Sequence, residues 1–534
     1  MILKLLSDRG TDTGSPTRRC RLRYWPPQIL AQQSLLTPSF LPKDMNISRI
    51  MSTQHPDNVN TPFFAEKPII AGDDEIKEAF YAFSHLGIDE QLWDAEGKEV
   101  DTFVVKKLLT RYEDYFRSHT LGKDKFLTLR LPNPDVEKDD GKILIEALHS
   151  IPRNFDLAQK FYNQDIAPIF EVVIPMCASE KNLLRVHEYY KQYIIKTQHN
   201  KIYNDDITIA EWVGSLQPDN IRVTPLFETK DAILNADKYV KKYIEYEKIQ
   251  EFQRVWFARS DTALNYGSVS AVLLNKIGAL KLHQLQEQLS INILPILGCG
   301  SAPFRGNFTP RNADKMVAGY PSIQTFTAQS AFKYDHGPKR IIDAIEHIKS
   351  TKRKSPLNVD TEFATSIINK VEQDYQQSIS LLADNINYIS HYIPERRKRK
   401  LHVGLFGYAR KNSNGIQLPR AIKFCAALYS LGLPPDILGL STLTQNELDK
   451  IRLSYPTIDK DMSDALQYFN KDNLSFFPHE IQTKVTQAVK LFSYELNEEH
   501  KLHSTNILNS LKHHDIPKIQ ESILAAARVR KFLG

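Results

Sequence analysis

Between about residues 100 and 445, short apolar runs alternate with longer stretches whose apolar residues return every three or four positions. The short runs lie at 126–131, 169–174, 221–227, 255–258, 291–297, 323–326, 402–406 and 436–440. Each is rich in residues that suit strands, and together they predict eight of them. The longer stretches predict helices: Leu273, Ile277, Leu280, Gln284 and Gln288 follow one winding, with Leu285 and Leu289 on the adjacent face. Strand–helix alternation implies a parallel sheet covered by helices. Eight such units fit an α/β fold of the (β/α)8, TIM-type barrel, with extra helices in the long interval between 326 and 402. Beyond residue 445 the pattern turns helical and polar, at 447–453, 484–494 and 519–532. The domain reading is therefore a catalytic barrel with an N-terminal segment over 45–445, and a helical region over 446–534 packed on it or serving as an oligomer contact.

Composition narrows the class. No apolar run approaches the ~20 residues of a membrane-spanning helix. Cys20, Cys177, Cys299 and Cys425 lie far apart and form no CxxC pair, which argues against a zinc site or a disulfide framework and suits a reducing cytoplasm. The net charge is +6, but residues 1–44 hold seven Lys or Arg against three Asp, so +4 of it sits in this leader. The rest is nearly neutral and lacks a nucleic-acid footprint. A basic, Pro-containing leader is compatible with an organelle presequence; the simpler expectation is a start at Met45 or Met51, with the leader disordered or not made.

Candidate chemistry gathers at the ends of the predicted strands, where a barrel carries its site. The run 221–227 is followed by Glu228, and 255–258 by Arg259, Ser260 and Asp261. Two carboxylates after successive buried strands suit Mg²⁺, which takes one or two carboxylates and leaves other positions to water and substrate. The alternative is that both acids cap the helices that follow. The segment 298–306, GCGSAPFRG, follows a strand directly; its glycines allow close backbone approach to an anion and Arg305 can grip one through two bonds. It is neither a P-loop nor a good dinucleotide fingerprint. Arg130 interrupts an apolar strand and must meet a protein carboxylate or an anionic ligand. His55, fixed before Pro56, is a proton acceptor suited to neutral pH, or a surface residue of a polar loop. The acidic segment 93–101 reads as a solvated turn, with a share in metal binding as the alternative, and the basic segment 395–400 as a solvated helix end.

Taken in order, STQHPDN (52–58), WDAEGKEVDT (93–102), LRLPNP (129–134), FARSDTALNYG (257–267), GCGSAPFRG (298–306) and GYPSIQTFTAQSAFKYD (319–335) resemble phosphoenolpyruvate carboxylase, in its short archaeal-type form. The resemblance covers residues 45–534. The longer bacterial and plant form is similar more faintly, through its VVPLFET, YSDSAKDAG, TAHPTE and GRGGTVGRGG segments. These imply metal ligation by Glu228 and Asp261, a catalytic His55 and a catalytic, phosphate-holding Arg305. The long form's lysine after the metal aspartate is Leu264 here, and its first loop arginine is Cys299. Arg130, Arg259 and Arg410 are the candidates to supply the missing positive charge and bind substrate.

What the resemblance implies is carboxylation of phosphoenolpyruvate by bicarbonate in the cytoplasm, replenishing the tricarboxylic acid cycle. It also implies Mg²⁺ (Mn²⁺ as the alternative) and a homotetramer, with neither nucleic acid nor membrane as partner. The rival readings are another barrel enzyme of phosphoenolpyruvate or an enolate, and an inactive oligomeric binding protein, to which Leu264 and Cys299 would point.

Overall fold

The computed structural model describes residues 47–96, 101–398 and 417–534. Eight parallel strands close a barrel in chain order: β1 Ile50–Ser52, β2 Glu90–Asp94, β3 Phe126–Arg130, β4 Glu171–Ile174, β5 Arg222–Phe227, β6 Phe252–Ala258, β7 Asn292–Gly298 and β8 Thr325–Ala328. Met51 of β1 pairs with Glu90 on one side and with Thr327 on the other, which closes the ring.

Six expected strands coincide with β3 to β8. The other two do not serve as strands of this barrel. Segment 402–406 lies outside the described residues, and 436–440 contains a buried 3₁₀ turn, Pro435–Ile437, in which the Tyr429 hydroxyl donates to Asp436 at 2.5 Å. That run is apolar because it packs against helices outside a ring that is already closed. The barrel opens instead on two strands that the periodicity did not mark. β1 is three residues long, and β2 begins with Glu90 and Gln91, polar residues that are nevertheless buried.

Those polar residues have partners inside the barrel. Arg254 of β6 donates to Glu90 Oε1 and Oε2 at 2.7 and 2.9 Å and approaches Glu171 at 3.4 Å; Thr128 and Thr224 donate to the same two carboxylates. Burial and the neighbouring Glu90 push the Glu171 carboxyl up, against the pull of Arg254. Removing one partner of such a buried network costs about 3–5 kcal/mol, because the charge left behind is unpaired. Side chains alternate faces along a strand. Two residues on from the ionic layer, Leu92, Val173 and Trp256 join Met51, Leu226 and Ile296 in an apolar plug. Two further on, β2 ends at Asp94 and β5 gives way to Glu228. The same alternation that fills the barrel therefore delivers charged groups to its C-terminal mouth.

The helix Ser268–Leu289, buried along most of its length, lies against β7 and the long helix Thr361–Ser390. The interval after β8 holds extra helices, as expected, and the C-terminal patterns become Gln445–Ser454, His479–Val489 and Ile516–Arg530. Beyond the last of these the chain returns to the mouth, where Leu533 N–H donates to the Asp57 carbonyl at 2.7 Å. Among the described residues, no helix is long and apolar enough to cross a membrane.

Candidate active site

Arg130 ends β3 with its guanidinium held on both edges. Nε and Nη2 donate to Asp94 Oδ1 and Oδ2 at 2.9 and 2.7 Å, and Nη1 lies 3.0 Å from Glu96. Burial opposes the charge, but Asp94, Glu96 and Glu228 outweigh it and hold Arg130 well above its ordinary pKa. The described part of the acidic segment is thus no solvated turn: Asp94 and Glu96 are buried because Arg130 neutralises them. Glu137 joins the cluster. Burial, then the Glu96 charge, push its carboxyl up against the pull of Arg130 and Arg420.

Glu228 follows β5 directly and is buried, whereas Asp261 lies in the first turn of the helix Ser260–Tyr266 after β6 and is half-buried. The capping alternative fails for Glu228. Thr229 is the N-cap of the helix Lys230–Leu234, its side chain accepting from Ala232 N–H. The Thr262 hydroxyl, beside Asp261, shares its proton between the Ala258 carbonyl at 2.8 Å and the Glu228 carbonyl at 3.1 Å, which brings the two acid-bearing loops together. Two carboxylates on adjacent loops fit a hard cation that keeps water or substrate as its other ligands. Among the described residues, no set of three or more His, Cys, Asp or Glu forms a ready-made metal cage.

His55 is half-buried in the loop after β1, with Nδ1 3.0 Å from Thr53 Oγ1. Its carbonyl accepts from Ser330 N–H at the start of the helix after β8, which fixes the loop across the β1–β8 seam. Beneath it, Lys333 donates to Ser52 Oγ, Thr53 O and Glu78 at 2.9, 3.0 and 3.0 Å. Arg397 grips Glu75 and Glu78, both at 2.8 Å, and Arg396 donates to the Val59 carbonyl. Within the described part of the basic segment, Glu395 and Lys398 are exposed as expected, but Arg396 and Arg397 are buried supports for the β1 loop.

Arg305 is 2% exposed and nearly saturated. Nε meets Ser260 Oγ at 3.2 Å, Nη1 meets Asp57 Oδ2 at 3.4 Å and the Gly534 carbonyl at 2.7 Å, and Nη2 meets Gln329 Oε1 at 2.6 Å. Two glycines make this packing possible. A Cβ on Gly300 would fall 2.8 Å from Arg305 Cζ, and Gly306, at φ +131, would place one 2.7 Å from the Cys299 side chain.

Arg259 takes another direction. Nη2 donates to Ser268 at 3.0 Å, and the side chain lines a small cavity with Tyr320, Tyr455 and Asp461 behind the 298–306 loop. Arg410 lies outside the described residues. The two departures from the long form both face inward: Leu264 belongs to the hydrophobic core, and burial pushes the Cys299 thiol up to about 12. Asp94, Glu96, Lys333 and Gln329 were not singled out from sequence. Asp94 ends an unmarked strand and Glu96 follows it, and Lys333 and Gln329 act through partners distant in sequence.

The closed parallel barrel, with charged groups converging from the C-terminal ends of β1, β2, β3, β5, β6 and β7, defines an enzyme of the (β/α)8 class. A sequence profile described as phosphoenolpyruvate carboxylase matches residues 47–534, and the chain belongs to that family. Relatives bearing this name include one from Methanospirillum hungatei, 48% identical over 92% of this chain and 100% of its own length. One from Methanothermobacter thermautotrophicus is 47% identical over the same shares, and one from Pyrococcus furiosus 52% identical over 79% of this chain and 89% of its own. Among solved structures, a malate synthase from Haloferax volcanii covers 78% of this chain and 99% of its own at 10% identity, with a TM-score of 0.37; a likeness this remote carries no argument.

Proposed function

We propose that this protein carboxylates phosphoenolpyruvate with bicarbonate, giving oxaloacetate and phosphate and replenishing the tricarboxylic acid cycle. The observation that carries this reading is the juxtaposition, at one barrel mouth, of Glu228 and the Asp261 loop with an arginine, Arg130, whose charge is locked on.

A bicarbonate oxygen attacks phosphorus, the bond from phosphorus to the enol oxygen breaks, and carboxyphosphate and the enolate of pyruvate result. Carboxyphosphate then loses its proton and splits into CO₂ and phosphate, and the enolate C3 attacks CO₂. Glu228 and Asp261 would hold Mg²⁺ or Mn²⁺, which when bound supplies positive charge for the substrate anion and the developing enolate oxygen. Arg130 and Arg305 are the candidates to hold the phosphoryl group, a transfer in which positioning and charge stabilisation do most of the work; Arg305 would reach it by giving up part of its contacts to Ser260, Asp57 and Gln329. Arg259 and Arg410 remain the further substrate-binding candidates.

His55 takes the carboxyphosphate proton. Nδ1 faces Thr53 Oγ1 at 3.0 Å, and the tautomer that carries its proton on Nδ1 would make Nε2 the base. Water must be excluded, because protonation of the enolate yields pyruvate. The loops 52–62 and 298–310 serve that exclusion, and Asp57 of the first accepts from Ser301 N–H of the second.

The test couples oxaloacetate formation to malate dehydrogenase and NADH, without nucleotide, with pyruvate assayed in parallel. Bicarbonate-dependent NADH loss that stops on chelation is the expected result. Absence of both products would sink the reading. A tetramer, implied by the family resemblance, predicts about four times the chain mass by light scattering.

A further inference from the structure

A second polar cavity lies at the opposite, N-terminal end of the barrel. It has a volume of about 290 Å³, at the lower edge of the range for small-ligand sites. Ile293 and Pro295 near the start of β7 form its apolar wall. The polar lining is His283, Gln286, Ser322, Arg353, Lys354 and Ser355, with no Asp or Glu among the described lining residues. Among the described residues, Arg353 is fixed by neutral acceptors alone. Nη1 donates to the Ile293 carbonyl at 2.6 Å and Nη2 to Gln286 Oε1 at 3.1 Å.

Arg49, just before β1, stands beside it. Its Nη1 donates to the carbonyls of Ile323 and Gln324 at 2.5 and 2.9 Å, while Nε and Nη2 are buried and have no hydrogen-bond partner among the described residues. Burial, then the repulsion of Arg353, lower Arg49 to about 10, so the two guanidiniums feel each other. Both guanidiniums are half-buried and have no carboxylate partner among the described residues, and an oxyanion in the cavity would supply one through charge-assisted hydrogen bonds.

We propose that this cavity is a binding site for a small phosphate- or carboxylate-bearing molecule, gripped by Arg353 and Lys354 with Arg49 behind them. The site lies outside the barrel wall, between the start of β7 and the helix Ser268–Leu289, at the end away from the mouth, and does not depend on the reaction proposed above. Lys354 and Ser355 are exposed, which gives a ligand its entry path.

The test is equilibrium dialysis of the full chain with labelled inorganic phosphate, and in a second arm with labelled succinate. The expected result is a site that survives Arg305→Met at the mouth and weakens at least tenfold in Arg353→Met. Ser355→Glu, a new negative charge on the exposed rim, weakens it similarly and leaves oxaloacetate formation unchanged. If Arg353→Met fails to fold, Ser355→Glu decides. The tighter of the two probes identifies the anion class. Binding of both probes unaltered by the rim and Arg353 variants, or no binding of either outside the mouth, overturns the proposal.

Discussion

Asp261 is half-buried and outside the packed core, so its removal should touch chemistry more than folding. Asp261→Ala is expected to lower oxaloacetate formation by about 10³-fold or more, as loss of a main charge-stabilising group does, with the far-ultraviolet circular dichroism unchanged. A fully active variant would refute the metal assignment. His55→Asn tests a different step. Phosphoryl transfer should continue while proton removal from carboxyphosphate fails, so the ratio of pyruvate to oxaloacetate rises; an unchanged ratio excludes His55 as the base. At this scale the sequence identified residue types better than their partners. A strand arginine needs a carboxylate, but nothing local says that Asp94 and Glu96, more than thirty residues earlier, provide it.

Loops tied to one another act as a unit, and here Asp57 is the tie. Its Oδ1 accepts Ala331 N–H at 2.7 Å, while Oδ2 accepts Ser301 N–H at 3.2 Å and faces Arg305. The β1 loop, the 298–306 loop and the helix after β8 thus meet on one carboxylate. Gly300→Ala drives a methyl against Arg305 Cζ and should displace that side chain. A 10- to 100-fold loss in kcat/KM for phosphoenolpyruvate is the rough expectation, of the size that small misplacements produce. Kinetics matching the parent would show that Arg305 needs no fixed position. The strands β3 to β8 were legible because strands covered on both faces read as apolar runs. β1 and β2 were not, since one is too short for a pattern and the other buries charge whose compensation comes from β6.

Acid stability is set by networks that cross the whole fold. Burial would raise the Glu78 carboxyl, but Arg397, then Lys333, hold it near 2, below its ordinary 4.5. Burial pulls Lys333 toward neutrality, so Arg397 is the firmer support. A depressed carboxylate adds stability above its unfolded pKa and loses it as pH falls, here from about 4.5 toward 2, to a total of about 3 kcal/mol. Urea unfolding followed across that window should show Glu78→Gln less stable at pH 7 and less sensitive to acid; parallel curves would exclude the mechanism. The sequence by itself determined the fold class and family, because period-two and helical spacing and contiguous motifs are local properties of the chain. It also marked the positions of Glu228, Asp261 and His55 along it. Only the tertiary structure decided which arginine faces which acid: it bound Arg130 to Asp94, turned Arg259 behind the loop, buried Arg397 under β1 and left Arg49 beside Arg353. Partners so far apart in sequence are chosen by barrel closure and burial, and no local pattern records either.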